Sequence, residues 1–131
     1  MNFILGPIQN NQGILLMIEV HLSYNVKPDI DAQGYYEWMK TAIVPTLKSH
    51  GVVEVRAYRS VKESQGVLVV GLWEKLEDWT DYSQSEGWNS FFSPLQSTFA
   101  TNIRMEVWGP SPLIPAPLRP LKENAQNSPQ K

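Results

Sequence analysis

The chain alternates apolar and polar positions with a period of two in several short segments, which predicts β-strands. The predicted strands are Leu15–Asn25, Val52–Val61, Val67–Trp73 and Asn102–Trp108. The third of these is apolar on both faces, as expected of a central strand that is covered on both sides. The other three have one apolar face and one mixed face, which indicates a sheet with a single buried side.

Apolar residues at helical spacing predict two helical regions between these strands. The first is Asp31–His50, which Pro45 should kink or divide because proline removes a backbone hydrogen bond inside a helix. The second is Leu76–Ala100, which we expect to be broken near Glu86-Gly87 and again at Pro94. The order strand, helix, strand, strand, helix, strand predicts an α+β protein with a ferredoxin-like βαββαβ fold. Its sheet would be four-stranded and antiparallel, with both helices on one face.

The composition changes at both ends of this pattern, and we predict a folded domain at residues 15–109. Residues 1–14 read as a flexible polar leader. Residues 110–131 hold six of the ten prolines, and proline lacks the N–H group that helices and inner strands need. We therefore expect an extended arm to about Leu121 and a disordered tail beyond it.

Length, charge and cysteine content exclude several classes of protein. The chain has 131 residues, a net charge of −2 and no cysteine, so disulfides, thiolate zinc sites and cysteine nucleophiles are excluded. A charge so close to zero, spread along the chain, does not recruit nucleic acid or an anionic membrane. No apolar run approaches the roughly 20 residues of a membrane-spanning helix. No basic leading region precedes Lys27, so we predict a cytoplasmic protein.

The face of the predicted sheet that the helices leave uncovered carries charged and aromatic residues together. A solvated antiparallel sheet can show such a face, but we favour a symmetric homodimer in which two of these faces pack together. Large aromatic side chains stand among the charges, and opposite charges can neutralise each other across a two-fold axis. The predicted interface residues are Glu19, His21, Glu54, Arg56, Tyr58, Arg104, Glu106 and Trp108.

Two segments carry a resemblance to a known group of proteins. They are Val67–Phe91, with the sequence VLVVGLWEKLEDWTDYSQSEGWNSF, and Pro45–Tyr58, with the sequence PTLKSHGVVEVRAY. Both resemble the antibiotic biosynthesis monooxygenase superfamily, the dimeric α+β barrels, over about residues 17–109. The resemblance implies that fold and one of three kinds of function. Members include cofactor-independent oxygenases of polycyclic phenols, haem-degrading enzymes and proteins without an assigned activity.

The resemblance also argues against haem degradation in this chain. The haem-degrading members use an asparagine on the first strand, a tryptophan on the second helix and an axial histidine ten residues later. Tyr82 stands at the tryptophan position and Phe92 at the histidine position, while Asn25 falls late in its strand. Phenylalanine cannot ligate iron, so that mechanism lacks its axial ligand here.

His21 and Tyr24 are the candidate catalytic residues. His21 falls on the mixed face beside Glu19, where it reads either as an interface residue that forms hydrogen bonds or as a general base. The other histidine, His50, reads as a helix C-terminal residue. Two histidines without a cysteine or a closely spaced histidine pair predict no metal site, and the chain shows no nucleotide-binding fingerprint that would predict a cofactor.

Aromatic residues suggest a pocket for a flat apolar ligand between the helices and the sheet. The candidate pocket residues are Trp38, Trp73, Tyr82, Trp88 and Phe92, and either Tyr24 or Tyr36 would supply a hydroxyl group. Aromatic residues at helical spacing also commonly form a core. Two functions therefore stay open: a dimeric module that binds a small apolar or aromatic ligand, and a cofactor-independent monooxygenase acting on an aromatic, polyketide-like substrate.

Overall fold

The computed structural model describes residues 17–121. Its strands are β1 (Ile18–Val26), β2 (Val52–Arg59), β3 (Gly66–Trp73) and β4 (Ala100–Trp108), and its α-helices are α1 (Ala32–Ala42), α2 (Val44–Leu47), α3 (Leu76–Ser83) and α4 (Glu86–Pro94). A π-helical turn, Leu95–Phe99, joins α4 to β4. The predicted leader at 1–14 and the tail predicted after Leu121 lie outside the described residues. Across the part that is described, no helix is long and apolar enough to cross a membrane.

The four strands form one antiparallel sheet in the order β2-β3-β1-β4. Alternate residues of β1 from Ile18 to Tyr24 are buried and pack, in two clusters, with aromatic residues of the helices. All helices that reach the core therefore lie on one side of the sheet, which we call the inner face, and the opposite side is the outer face. The predicted ferredoxin-like α+β fold is confirmed.

Pro45 divides the first helical region, as the sequence predicts. Helix α1 ends at Ala42, and α2 begins at Val44 with Pro45 in its first turn. Proline is tolerated there because the first N–H groups of a helix have no partner within it. At the other end of α1, the Asp31 carboxylate accepts a hydrogen bond from the Gly34 N–H at 3.0 Å, which caps the helix.

The predicted breaks in the second helical region differ from those observed. Helix α3 ends before Ser85, and the Ser85 hydroxyl caps α4 by accepting from the Trp88 N–H at 3.3 Å. The break thus falls at Gln84–Ser85, within two residues of the predicted position, and Glu86 and Gly87 themselves form the first turn of the capped helix. Pro94 ends α4, but the chain continues as the π-helical turn instead of leaving the helical path.

The pattern also misplaces residues at the start of β2. Val52 lies opposite Trp73 and Glu54 lies opposite Leu72, so the register shifts between Val52 and Glu54. Val52 packs against the core, whereas Val53 is 45% exposed. Strict alternation along this strand predicts that Val53 faces the core, on the side opposite Glu54, and that prediction is wrong because a bulge changes which residues face inward. The strand also ends at Arg59, two residues earlier than predicted.

A second bulge lies near the start of β4, which begins two residues earlier than predicted. Ser23 of β1 lies opposite Arg104 and Asn25 lies opposite Thr101, so two steps along β1 match three along β4. Asn102, within this bulge, has a φ of 55°, in the left-handed region. Asparagine tolerates this region better than most residues with a side chain, and the Asn102 amide donates to Asn25 Oδ1 at 3.0 Å.

Gly51 forms the joint between α2 and β2. Its φ is 89°, and a Cβ atom at this position would overlap the Asp78 carboxylate of α3. Its carbonyl accepts from the Glu74 N–H at 2.8 Å, so the joint is tied to the end of β3. Asp78 is buried, its Oδ2 lacks a hydrogen-bond partner among the described residues, and its Oδ1 lies 3.7 Å from His50 Nε2.

Candidate functional site

Aromatic rings fill the space between the inner face and helices α3 and α4. Trp73, at the end of β3, is 1% exposed and stacks on Tyr82 with ring centroids 5.5 Å apart. Trp79 meets Trp73 edge-on at 5.6 Å and Trp88 edge-on at 5.1 Å. Such offset and edge-on pairs are the arrangements that aromatic rings prefer. Three of the five candidate pocket residues, Trp73, Tyr82 and Trp88, are therefore in one cluster.

The other two candidates lie further along the same layer. Phe92 stacks on Trp88 at 5.3 Å. Trp38 of α1 stacks on Phe99 at 4.4 Å and on Phe91 at 5.6 Å, within the second core cluster. Phe91 also meets Trp88 at 5.5 Å, so it bridges the two groups. The candidates thus belong to one continuous aromatic layer, although Trp38 does not share a cluster with Trp73.

A small cavity opens between this layer and the β2–β3 half of the sheet. It is lined by Val20, Leu22, Ile43, Thr46, Val55, Val69, Gly71, Trp73, Trp79, Trp88 and Phe91. Its volume is about 30 Å³, which is room for a water molecule and far below the roughly 300 Å³ of a pocket for a drug-sized ligand. Of the candidate pocket residues, Trp73 and Trp88 line it, and the other three do not.

Thr46 carries the only hydroxyl group in the cavity lining. Its Oγ1 lies 2.8 Å from the Tyr82 hydroxyl oxygen, and both residues are buried. Burial raises the pKa of Tyr82 above its ordinary value, and the hydrogen bond from Thr46 offsets part of that rise. At neutral pH, Tyr82 is therefore a protonated hydroxyl group that can donate a hydrogen bond.

Tyr24 meets Tyr35 at the other end of the core, away from the cavity. The two hydroxyl oxygens are 2.5 Å apart. Burial is the main cause that raises the pKa of Tyr24, and its contact with Tyr35 raises it further. Burial also raises the pKa of Tyr35. Tyr24 keeps its proton at neutral pH and cannot act there as a base, while Tyr36, the alternative source of a hydroxyl group, is exposed on α1.

His21 lies on the outer face, with the sheet between it and the cavity. In the strand register, His21 lies opposite Val70 of β3 and Glu106 of β4. Its Nε2 atom lies 2.9 Å from Glu19 Oε1. Its ring is 6.3 Å from that of Trp108. His21 is therefore placed to hold polar and aromatic neighbours together on the outer face, and it does not reach a ligand in the inner cavity.

The residues predicted for a dimer interface share the outer face, and most of their charges pair along their own strands. Arg56 Nε lies 2.8 Å from Glu54 Oε2. The pKa of Arg56 is raised, mainly by a hydrogen bond to Tyr58 and next by the hydrogen bond to Glu54. The remaining contacts are Arg104 to Glu106 at 3.6 Å and the Trp108 indole N–H to Glu106 at 3.3 Å. Two depressions, of about 510 and 490 Å³, adjoin on this face and share Tyr58 and Leu68. The outer face is thus concave, polar at its edges and partly neutralised within one copy.

Thr46, Val55 and Phe91 line the cavity although the sequence pattern does not predict them there. Thr46 falls on the apolar side of its predicted helix, and a lone hydroxyl residue on such a side was the available signal. Nothing in the sequence around Val55 indicates a cavity, since its position only fits the alternation of its strand. Within residues 17–121, no group of three or more histidine, aspartate or glutamate side chains could hold a metal ion.

Comparison with known proteins identifies the fold. No protein-family model matches the chain, and no curated protein matches it. Among solved structures, a conserved protein from Methanosarcina mazei Go1 has a TM-score of 0.65 at 18% identity, covering 74% of this chain and 95% of that one. SnoaB, a cofactor-independent oxygenase from Streptomyces nogalater, has a TM-score of 0.63 at 8% identity, covering 72% and 93%.

A proposed antibiotic biosynthesis monooxygenase from Bordetella bronchiseptica has a TM-score of 0.62 at 21% identity, covering 72% of this chain and 97% of that one. At such low identity these likenesses carry the fold alone. The chain therefore has the ferredoxin-like fold of the antibiotic biosynthesis monooxygenase-like proteins, as its sequence predicts.

Proposed function

We propose that this protein is a homodimer that binds a small apolar or aromatic ligand in the inner-face cavity of each copy. The observation that carries the proposal is the lining of the cavity, which is aliphatic and aromatic except for one hydroxyl group, that of Thr46. Pockets for small molecules combine such apolar walls with a few placed polar groups. A ligand with a flat ring and one oxygen would stack on Trp88 or Trp73 and accept or donate a hydrogen bond at Thr46.

Ligand entry requires the cavity to widen, because about 30 Å³ does not hold an aromatic ring. Ile43, Val55 and Trp88 line the cavity and are only partly buried, so we expect these side chains to move when a ligand enters, and we call them the mobile side. Trp73 and Phe91 are fully buried and form its fixed side. The proposed ligand therefore displaces side chains near α2 and β2 while the floor of the cavity stays in place.

The homodimer is proposed from the outer face. Trp108 and Tyr58 are about half exposed there, among charged residues that are already paired within one copy. Burying paired charges costs less than burying isolated ones, and aromatic residues are enriched where proteins associate. Two concave outer faces that meet around a two-fold axis would cover both residues in each copy.

Ligand binding is tested by titrating the full chain with a panel of phenols, naphthols and anthrones and following tryptophan fluorescence. We expect at least one compound to bind, and native mass spectrometry to show it retained. Replacing Val55 by phenylalanine fills the cavity and should weaken binding at least tenfold. The matched control is Val61→Phe, because Val61 is 98% exposed and does not line the cavity. If no compound binds, or if V55F binds as well as the wild type, the proposal fails.

A second candidate function is cofactor-independent oxygenation of an aromatic substrate in the same cavity. It is favoured by the fold shared with SnoaB, which is described as a cofactor-independent oxygenase. Tyr24 and Tyr82 hold their protons and His21 lies across the sheet, so these residues do not supply a base. The substrate would therefore be a phenol acidic enough to ionise in water, held through its oxygen by Thr46. Oxygen uptake with such phenols tests this function, and equal uptake by wild type and T46V/Y82F contradicts it.

A further inference from the structure

The segment from Pro110 to Leu121, which we call the arm, makes few contacts with the rest of its own chain. Every residue from Gly109 to Leu121 is exposed. Its four large apolar side chains, at positions 113, 114, 118 and 121, are 53–89% exposed. Among the described backbone hydrogen bonds outside helices and strands, none involves the arm. This much apolar side-chain surface is unfavourable in water, so the arm is suited to being covered.

The arm is also stiff. Five of its residues are prolines, which fix φ and restrict the residue before them. Its one local turn is held by the Ser111 hydroxyl, which accepts from the N–H groups of Leu113 and Ile114 at 3.1 and 3.2 Å. A segment with so little conformational freedom loses little entropy when it packs against a surface.

A matching apolar surface lies at the same end of the sheet from which the arm departs. Leu47, Val53 and Leu76, at the end of α2 and the starts of β2 and α3, are each about half exposed. We call these three residues the apolar rim. Trp73 pairs with both Val52 and Ile18, and Glu19 pairs with Trp108, so the rim and the root of the arm lie at one end of the sheet.

The arm is long enough to reach the rim of a second copy. Twelve residues span at most roughly 35–40 Å, a reach that the turn at Ser111 shortens by part of its length, while a domain of this size is on the order of 30 Å across. Packed sheets lie about 10 Å apart. An arm that starts at the edge of one outer face therefore reaches the far end of a copy packed against that face.

We propose that the arm of each copy packs on the apolar rim of a second copy. This inference rests on the proposed homodimer. It adds that each cavity is completed by its partner, since Leu47 directly follows the cavity residue Thr46 and the rim lies beside the mobile side of the cavity. The arm and the apolar rim are both exposed in a single copy, and exchanging arms between two copies covers both of them.

The absence of cysteine from the chain makes a cross-linking experiment specific. One batch of full-length protein carries Leu118→Cys on the arm, and the other carries Leu47→Cys on the rim. Both positions are exposed, so the fold is not disturbed. After the batches are mixed and allowed to exchange, a short bismaleimide should link the two different chains. In the control, the second batch carries Val61→Cys, at the opposite end of the sheet, in place of L47C. The yield of cross-linked product with L118C should then be at least tenfold lower.

Three results would overturn the inference. Cross-links within one chain of the double variant L47C/L118C, and not between chains, would place the arm on its own rim. Equal cross-linking of L118C to L47C and to V61C would show that the arm contacts the second copy without preferring the apolar rim. An absence of L47C links while sedimentation still shows a dimer would reject the arm exchange and leave the homodimer standing. A monomer in sedimentation would instead reject the homodimer and the arm exchange together.

Discussion

Single residues decide how the elements of this small domain meet. Gly51 lets the chain turn from α2 into β2 with a positive φ, and its missing side chain leaves room for the Asp78 carboxylate. Thr46 pairs with Tyr82 across the space between α2 and α3. Neither relation is visible in the sequence, because 27 positions separate Gly51 from Asp78 and 36 separate Thr46 from Tyr82.

Gly51→Ala should destabilise the protein by about 2–4 kcal/mol. Left-handed backbone strain contributes roughly 1–2 kcal/mol, and overlap with a buried group contributes about 1–3 kcal/mol. Urea unfolding of the variant measures the loss. The matched control is Gly109→Ala, because nothing lies within 4 Å of a Cβ atom at Gly109, and its stability should stay within about 0.5 kcal/mol of the wild type. Equal stability of the two variants would contradict the proposed role of Gly51.

The buried tyrosines predict a loss of stability in alkali. The pKa values of Tyr24, Tyr35 and Tyr82 are raised in the folded chain, so the folded state holds these protons more tightly than the unfolded state. Their contribution is complete below the unfolded pKa of about 10 and falls as the pH rises above it. Unfolding measured between pH 8 and about 11 should show a smaller decline in Y24F/Y35F than in the wild type. The exposed control Tyr36→Phe should keep the wild-type decline.

At the scale of elements, the two prolines within helical regions have different effects. Pro45 lies in the first turn of α2, where a helix needs no internal N–H donor, and the sequence correctly predicts a division there. Pro94 lies at the end of α4, and the helical path continues as a π-helical turn. That outcome depends on the packing of Leu95 and Phe91 in the core, which local sequence rules do not include.

The order of the elements and the inward residues of β1 follow from hydrophobic periodicity, because burial on one face imposes it. The bulges do not follow from it. Val52 replaces Val53 at the core because the register shifts, and the cavity lies where Val55 meets residues of distant elements. The sequence therefore predicts the fold and the aromatic layer, while the exact walls of the site depend on three-dimensional packing.

The bulge in β4 depends on the backbone conformation of Asn102. A β-branched residue is disfavoured at positive φ, so Asn102→Val should lower the stability by about 1–2 kcal/mol and shift the end of β4. Asn102→Gly keeps the conformation and loses only the bond to Asn25, so it should cost less. Thermal unfolding compares the two variants. If valine is tolerated as well as glycine, the positive φ is not what holds the bulge.

At the scale of the whole molecule, the outer face predicts how copies associate. Trp108→Glu places a charge on the half-exposed aromatic residue at the end of β4, next to Glu106. We expect the dissociation constant of the proposed dimer to rise at least tenfold, as measured by sedimentation across a dilution series. Tyr36→Glu is the matched control, since Tyr36 is a similarly exposed aromatic residue on α1. Equal dissociation constants for both variants would place the contact elsewhere.

The passage from α4 through the π-helical turn into β4 contains no loop. In the proposed complex, a ligand that displaces the Trp88 side chain acts on α4, which leads directly into the strand that carries Trp108. Under the proposed function, occupancy of the cavity and pairing of the two copies are then coupled equilibria, and by reciprocity each changes the affinity of the other by the same factor. Saturating the protein with its ligand should then alter how readily it separates into single chains, and diluting it should alter how well it holds that ligand.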